Sequence, residues 1–259
     1  MSRLPWFAGA LAGLLLLATS AAFAETVPLT LTLSPHSPSA NELALTLTVG
    51  AASDNATSNL SGTQDAQLEI NFDPGTHAAG VTGITFVEAT PGTILASDVS
   101  FSMSGGMATM DAVGLKATIR TPSPPGSVAG DQFSTLDHEF VFNDGSVEYN
   151  VFGTTGTVSL AADPQSGTTD STGTLTVSAP SIAGGLATYD VTVSVPIDLS
   201  LPLFDNPVQV TLNAVGTIEG TGQFSRVLPE PTSLGLVLSL VPLGLLVLCV
   251  RNRWRGCSG

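Results

Sequence analysis

The sequence predicts an all-β chain, and three observations support this prediction. Apolar and polar residues alternate in many short segments, which places every second side chain on the same face of a strand. The polar partners are mostly threonine, a β-branched residue that suits an exposed strand face. Clusters of Gly, Pro, Asn and Asp separate the segments, as expected for turns. We therefore expect about ten to twelve strands in an antiparallel, jelly-roll-like β-sandwich.

Residues 1–24 have the three parts of a secretory signal peptide. Arg3 and the free amine give a positive start, residues 8–18 are apolar, and Ala22-Phe23-Ala24 forms a small-x-small cleavage site. Cleavage after Ala24 makes Glu25 the first residue of the mature chain. Signal peptidase and the general secretion machinery are therefore expected partners.

The body, residues 25–228, is expected to form the β-sandwich as a single extracellular domain. The alternating segments lie at residues 29–33, 43–49, 175–177, 191–195, 208–212 and 215–224. The polar segment 54–64 is expected to be a mobile loop, and Asn143-Asp144-Gly145 predicts a hairpin turn. An alternative with two immunoglobulin-like modules would divide the body within the Pro-rich segment 121–130.

The charge of the body is strongly acidic. Twenty Asp and Glu residues are accompanied by only three cationic ones, Lys116, Arg120 and Arg226. A surface of this kind repels phosphate backbones, so we expect no nucleic-acid partner. The body has no cysteine, so it relies on its apolar core rather than on disulfides.

Candidate catalytic residues are few. His36 and His77 lie in expected turns, whereas Asp137-His138-Glu139 places carboxylates beside an imidazole, which can orient a base or a metal ligand. Adjacent residues of a strand point to opposite faces, so the two carboxylates are expected on the face opposite His138. No second histidine or cysteine lies nearby to complete a zinc site. We predict neither a catalytic residue nor a metal ligand here.

Aromatic residues also argue against an enzyme acting on sugars. The body contains no tryptophan, and its only tyrosines are Tyr149 and Tyr189. Stacking platforms for sugar rings are therefore nearly absent. No Gly-x-Ser-x-Gly sequence occurs in the body, and paired carboxylates for glycoside hydrolysis are not assignable from sequence. A non-enzymatic protein is expected, with a secreted hydrolase as the weakest alternative.

Calcium is the one cofactor that the sequence leaves open. Secreted β-proteins bind it through Asp and Asn side chains in loops. The candidate ligands are two groups, Asp54 with Asn55 and Asn59, and Asp163 with Asp170. Neither group has the spacing of an EF-hand loop, and no cofactor is predicted.

The C-terminal tail, residues 229–259, has three parts in order. Pro229-Glu230-Pro231 precedes an uncharged apolar run at 232–250, and Arg251, Arg253 and Arg255 follow it. The run is long enough, at about 28 Å of helix, to span the hydrocarbon core of a bilayer. The three arginines would keep its end in the cytoplasm and leave the body outside.

This order of parts resembles the bacterial PEP-CTERM sorting signal. The resemblance is confined to residues 227–255, and Gly256-Cys257-Ser258-Gly259 departs from it. It implies processing by a membrane-embedded exosortase that removes the tail near the motif. It also implies a role in exopolysaccharide-producing, biofilm-forming cells. An uncleaved membrane anchor is the alternative.

The expected function follows from the export signals and the body together. We predict a cell-surface or extracellular-matrix protein with a structural or adhesive role, anchored in the inner membrane as a precursor and then passed to the surface or released. A binding module for polysaccharide or protein is the alternative, although the scarcity of aromatic residues argues against sugar.

Overall fold

The alternating segments form β-strands in the structure, which is a computed structural model of the chain. It describes residues 24–34, 40–73, 75–103, 108–123, 125–204 and 209–228. Over these residues the prediction of an all-β chain is confirmed. The only helical element described is a single 3₁₀ turn at Thr135–Asp137.

Sixteen strands are described, more than the sequence pattern predicts. They are β1 (Ala24–Leu33), β2 (Glu42–Val49), β3 (Ala52–Phe72), β4 (Ala79–Phe86), β5 (Ile94–Ala96), β6 (Val99–Met103), β7 (Ala108–Arg120), β8 (Gly126–Ala129), β9 (Gln132–Ser134), β10 (Glu139–Val151), β11 (Thr154–Ser159), β12 (Gln165–Gly167), β13 (Thr172–Val177), β14 (Ser181–Ala183), β15 (Leu186–Phe204) and β16 (Val210–Val227). Strands as short as β5 and β12 are not separable from loops by periodicity.

Eight of the strands form a closed path of hydrogen-bonded neighbours. The path runs β1-β16-β15-β13-β9-β8-β4-β3, and β3 pairs again with β1. The remaining strands attach to this ring: β2 joins β16 and β3, β5 joins β3 and β7, β6 and β10 join β7, β11 and β12 join β10, and β14 joins β15. Each strand of the ring has a partner on both sides. Where it is paired on both sides, it leaves no row of unpaired backbone N–H and C=O groups.

The chain separates into two compact units. The first contains residues 1–179 and 189–224, and the second contains Pro180–Thr188 and Ser225–Gly259. The segment 121–130 lies inside the first unit, where β8 pairs with both β4 and β9. The structure therefore places no boundary between two modules at that segment.

The 21-residue strand β3 corrects one expectation. Residues 54–64 belong to this strand and not to a mobile loop. Leu60 is the one large apolar residue of this segment, because the earlier inward positions hold small side chains such as Ala56 and Ser58. Pairing with β2, from Glu42↔Asn59 to Val49↔Ala52, holds it in register.

Strand β10 corrects a second expectation, since Asn143-Asp144-Gly145 forms no hairpin turn. The register of β10 against β7 shifts at Phe142/Asp144 and again at Asp144/Ser146, so the three residues form a bulge within one strand. Gly145 has a φ of 100°, a value that glycine adopts without a Cβ penalty. A positive φ at Gly145 is expected in a turn that reverses the chain direction, but here it bends β10 within the strand.

The core is formed by the inward positions of the alternating strands. Leu43, Leu45, Leu47 and Val49 of β2 are buried, as are Val191, Val193 and Val195 of β15. Phenylalanines add larger side chains, and the Tyr189 ring stacks on Phe224 with 4.7 Å between ring centroids. The Tyr189 hydroxyl donates to the His77 carbonyl at 2.7 Å, which satisfies its polar end within the core.

The finer expectations have different outcomes. Pairing of the strands in one continuous network does not confirm a sandwich of two separate sheets. No helix within the described ranges is long and apolar enough to cross a membrane. The predicted signal peptide before Ala24 and the predicted membrane helix at 232–250 lie outside those ranges.

Candidate functional site

His138 is the most chemically suggestive residue of the sequence, and the structure buries it. The Ser134 hydroxyl accepts from the Leu136 N–H and caps the 3₁₀ turn, which His138 ends. The turn leaves Asp137 exposed and directs the His138 ring inward, where only 3% of the residue is accessible. Glu139, the first residue of β10, is half-buried.

The surroundings of the His138 ring are mostly aromatic. Its ring meets Phe86 and Phe133 edge-on, with centroid distances of 5.0 and 5.2 Å. Its Nδ1 lies 2.8 Å from the Thr121 hydroxyl, which accepts in turn from the Phe86 N–H at 2.8 Å. The Nε2 atom has no hydrogen-bond partner among the described residues.

Burial lowers the pKa of His138 to about 4, against a smaller opposing effect of the Asp137 charge. The imidazole is therefore neutral at pH 7. The adjacent cavity is only about 10 Å³ and is lined by residues that include Thr135, Glu139 and Thr169. A space of that size holds at most one water molecule. The ring is thus a packed core residue with no room for a substrate beside it.

Of the two carboxylates that flank His138, Glu139 forms an ion pair. Glu139 accepts from Arg120 at 2.6 and 2.7 Å, and Arg120 also reaches Glu88 at 3.3 Å. Hydrogen bonding to Glu139 raises the pKa of Arg120. A second ion pair joins Lys116 to Asp144 at 2.7 Å and lowers the pKa of Asp144. Two of the three cations of the body therefore lie beside carboxylates.

The calcium candidates do not converge. Asp54 accepts from the backbone N–H groups of Asn55 and Ser102 at 2.9 and 2.8 Å. The Asn55 side chain accepts from the Thr46 hydroxyl at 2.7 Å instead. Across the described part of the chain, no group of three or more His, Cys, Asp or Glu side chains is arranged to hold a metal ion. Asp163 and Asp170 are both exposed.

The enclosed apolar cavity belongs to the core. It has a volume of about 30 Å³ and is lined almost entirely by apolar side chains, including Leu45, Phe101 and Val147. It offers no polar group to orient a ligand except Ser58 and Gln165 at its margin. The cavity is a packing void rather than a binding site.

Two open grooves lie on polar strand surfaces. One, of about 340 Å³, follows β7, β10 and β11 and contains Asp111 and Glu148, which are direct cross-strand partners. The other, of about 480 Å³, is lined by Thr32, Asp190, Val191, Thr192, Thr221, Gly222 and Gln223. Like charges opposite each other destabilise a sheet slightly, and the residues that line the first groove include no cation to offset them.

Threonine hydroxyls form a row beside the second groove. Thr32 of β1 is the cross-strand partner of both Thr63 in β3 and Thr221 in β16. On the neighbouring pair, Thr176 of β13 is opposite Thr192 of β15. Alternation predicts outward positions for Thr32, Thr176 and Thr192, whereas Thr63 lies in the segment expected to be a loop. The strand registers align Thr63, Thr32 and Thr221 in one row and place Thr176 opposite Thr192. No pattern in the sequence alone predicts this surface.

The export and sorting residues are only partly described. Ala24 and Glu25 are exposed and open β1, opposite Asn71 and Ile70. Ala22, His36, the motif Pro229-Glu230-Pro231 and the arginines Arg251, Arg253 and Arg255 lie outside the described residues. Comparison with known proteins gives no match to a family model, a curated protein or a solved structure.

Proposed function

We propose that the chain is an exported, non-enzymatic protein of the cell surface or extracellular matrix, with a structural or adhesive role. Its body would be held at the inner membrane by the C-terminal tail. An exosortase-like enzyme would then process the tail at Pro229-Glu230-Pro231. The family resemblance implies exopolysaccharide outside the cell as a partner of the processed protein.

The observation that carries the proposal is where the strands begin and end. The first strand opens at Ala24, beside the predicted cleavage site, and the last ends at Val227, two residues before the motif. Every strand between them belongs to one paired network. Cleavage at both predicted positions would therefore remove only Ala24, the first residue of β1, and leave the rest of that network intact.

The surface chemistry supports the same proposal. The exposed faces of the strands carry threonine hydroxyls, amides and carboxylates. For example, Thr30 donates a hydrogen bond to Asp65, and Gln223 donates one to Asp190. An acidic surface with few cations favours solubility and mutual repulsion at high local density. Both properties suit a protein that is displayed in many copies outside the cell.

The test is the intact mass and cell fraction of the protein in its native host. The wild type should be a surface or released species that starts at Glu25 and ends near Pro229. Replacing Pro229, Glu230 and Pro231 with alanine should leave a membrane-bound species that keeps Arg251. The matched control D163A/P164A, which removes an acidic residue and a proline from an exposed loop, should be processed normally. Unchanged release of the triple variant would refute the sorting role.

A binding function for the second groove is the alternative. Asp190 and Gln223 offer a carboxylate and an amide beside three threonine hydroxyls, and such groups hydrogen-bond to sugar hydroxyls. A glycan array probed with the released body distinguishes the two functions. Reproducible binding that is lost in D190A would favour the binding module, whereas a blank array would favour the structural role.

For the architecture, we propose that part of the body packs as two facing layers. Apolar side chains of β2, β15 and β16 meet those of β6, β7 and β10 around the 30 Å³ cavity. A double-mutant cycle tests this between Leu45→Ala and Val147→Ala. Facing residues should show a coupling of about 0.5 kcal/mol or more, and strict additivity would argue against the layered packing.

A further inference from the structure

The second compact unit contains a short hairpin next to the point where the chain leaves the body. Strand β14 pairs with the start of β15, from Ser181↔Thr188 to Ala183↔Leu186. Gly184 and Gly185 connect them with φ values of 59° and 78°, as a two-residue turn of the primed type requires. We call Pro180–Thr188 together with residues 225–228 the terminal hairpin unit.

The end of β16 is joined to this hairpin by hydrogen bonds. The Leu228 N–H donates to the Gly185 carbonyl at 2.8 Å. The hydroxyls of Thr188 and Ser225 lie 3.0 Å apart. The last described residues before the tail are therefore held on the hairpin.

Exposed aliphatic side chains are concentrated in the terminal hairpin unit. Nine large apolar residues are exposed in the described chain, and three of them are Ile182 at 54%, Leu186 at 40% and Val227 at 76%. The unit contributes only thirteen described residues. Ile182 and Leu186 pair with Ala187 and Ala183 in adjacent positions, so they lie on opposite faces of the hairpin. An aliphatic residue on each face suits entry of the hairpin tip into an apolar layer, rather than docking of one flat face.

The charge of the unit differs from that of the rest of the body. All twenty carboxylates of the body lie outside it, and its only charged described residue is Arg226. The next carboxylate in the chain is Glu230 of the motif. A lipid surface with anionic phosphate headgroups repels acidic regions and attracts cationic ones. Among the described residues, this unit is therefore the part of the body that could approach an anionic lipid surface without charge repulsion.

The length of the chain keeps the unit near that surface. Three residues, Pro229 to Pro231, separate Leu228 from the apolar run at 232–250. Even fully extended, the link from Leu228 to residue 232 spans at most about 14 Å. When the run crosses the bilayer, Leu228 and the hairpin bonded to it stay within reach of the headgroups.

We propose that the terminal hairpin unit is a membrane-contact site, whose ligand is the lipid headgroup region of the bilayer that holds the tail. Ile182, Leu186 and Val227 contact the upper acyl region, and Arg226 faces lipid phosphate. The inference rests on the proposed anchoring by the tail. Three aliphatic side chains bind a bilayer only weakly and reversibly, so removal of the tail would still release the body.

The experiment uses the full chain reconstituted in vesicles of phosphatidylcholine and phosphatidylglycerol, with and without acyl-brominated lipid. Trp6→Phe and Trp254→Phe remove the native indoles, and Ile182→Trp adds a probe at the hairpin. Phe152→Trp is the matched control, because Phe152 is 60% exposed and belongs to the other unit. Flotation of the vesicles reports anchoring, and quenching by bromine reports contact with lipid.

We expect both variants to float with the vesicles. Quenching of tryptophan fluorescence should be on the order of threefold greater for the probe at position 182 than for the probe at position 152, because bromine on the acyl chains quenches only indoles that reach the acyl boundary. Adding Leu186→Ser and Val227→Ser should reduce the quenching at 182 without changing flotation. Equal quenching of the two probes in floated protein overturns the membrane-contact site and leaves the anchor intact. Failure to float overturns the anchor, and the contact site with it.

Discussion

Gln64 and His138 are both buried polar side chains, but they are satisfied to different degrees. Gln64 is 1% exposed, and its amide donates to the carbonyls of Asp65, Val87 and Ile119 while its oxygen accepts from Thr118 and Ile119. His138 is 3% exposed and has one bonded nitrogen, with Nε2 unpartnered. The glutamine bonds backbone groups of β3, β7 and the segment after β4, whereas the histidine is held mainly by packing.

Gln64 and His138 offset the cost of burying a polar side chain in different ways. A buried amide that satisfies several backbone groups stabilises the fold, because those groups would otherwise be left without partners. A buried imidazole with an unpartnered nitrogen gains little polar stabilisation and excludes its charged form. The two residues should therefore respond differently to substitution and to pH.

The largest effect is expected for Gln64→Ala. The change deletes the bonds to β7 and to the Val87 carbonyl and leaves buried backbone groups unpaired, which should lower the free energy of unfolding by about 3–5 kcal/mol. Urea unfolding of the body, residues 25–228, measures this. Gln67→Ala on the exposed face of the same strand is the control and should change stability by less than about 0.5 kcal/mol. Similar losses in both variants would contradict the bridging role of Gln64.

The next effect is a pH dependence carried by His138. Its pKa is about 4 in the folded chain and 6.5 when unperturbed, so between these values the unfolded chain binds a proton that the folded chain excludes. The stability contribution is complete above about pH 6.5 and decreases as the pH falls toward 4, by roughly 3 kcal/mol in total.

Urea unfolding of the wild type and of His138→Leu, at pH 7 and at pH 4.5, tests this expectation. The variant should lose the part of the pH dependence that the wild type shows between these values. The carboxylates, among them Asp73 with a pKa lowered by the Gly75 N–H, titrate in both proteins and cancel in the comparison. Equal pH dependence in the two proteins would show that His138 is not the titrating group.

The smallest effect is expected at the Arg120 ion pairs. The side chains of Arg120, Glu88 and Glu139 are each about a quarter or more exposed, so solvent screens their charges. Arg120→Met should lower stability by less than about 1 kcal/mol, and high salt should remove most of the difference. A loss as large as that for Gln64→Ala would show that ion pairing, rather than amide bridging, stabilises this region.

Sequence patterns predicted the strands whose two faces differ in polarity. The leucines of β2 and the valines of β15 mark their buried faces through simple alternation. Residues 54–64 were assigned wrongly because small residues such as Ala56 fill inward positions without a hydrophobic signal. Asn143-Asp144-Gly145 was assigned wrongly because a positive φ at Gly145 suits a bulge as well as a turn. Local preferences do not distinguish these outcomes, since the partner strand decides between them.

The candidate site was less predictable than the fold, for a related reason. The burial of His138 depends on Phe86 and Phe133, and Phe86 lies far from it in sequence. The row containing Thr63, Thr32 and Thr221 depends on the register of three strands. The exposed aliphatic residues of the terminal hairpin unit have no distinctive sequence pattern, and only their solvent exposure in the structure distinguishes them from core residues.

The pairing of β1 with β16 also constrains the order of events in the life of the chain. Thr32 and Thr221 are partners although nearly the whole body separates them. The ring therefore cannot close until the last strand has been synthesised. Closure over such a separation is slow compared with local hairpins, so under the proposed export the ring would still be open while the chain crossed the membrane. Under the proposed anchoring, the tail would hold the body at the membrane while the ring closes, so the anchor would also give the body time to fold.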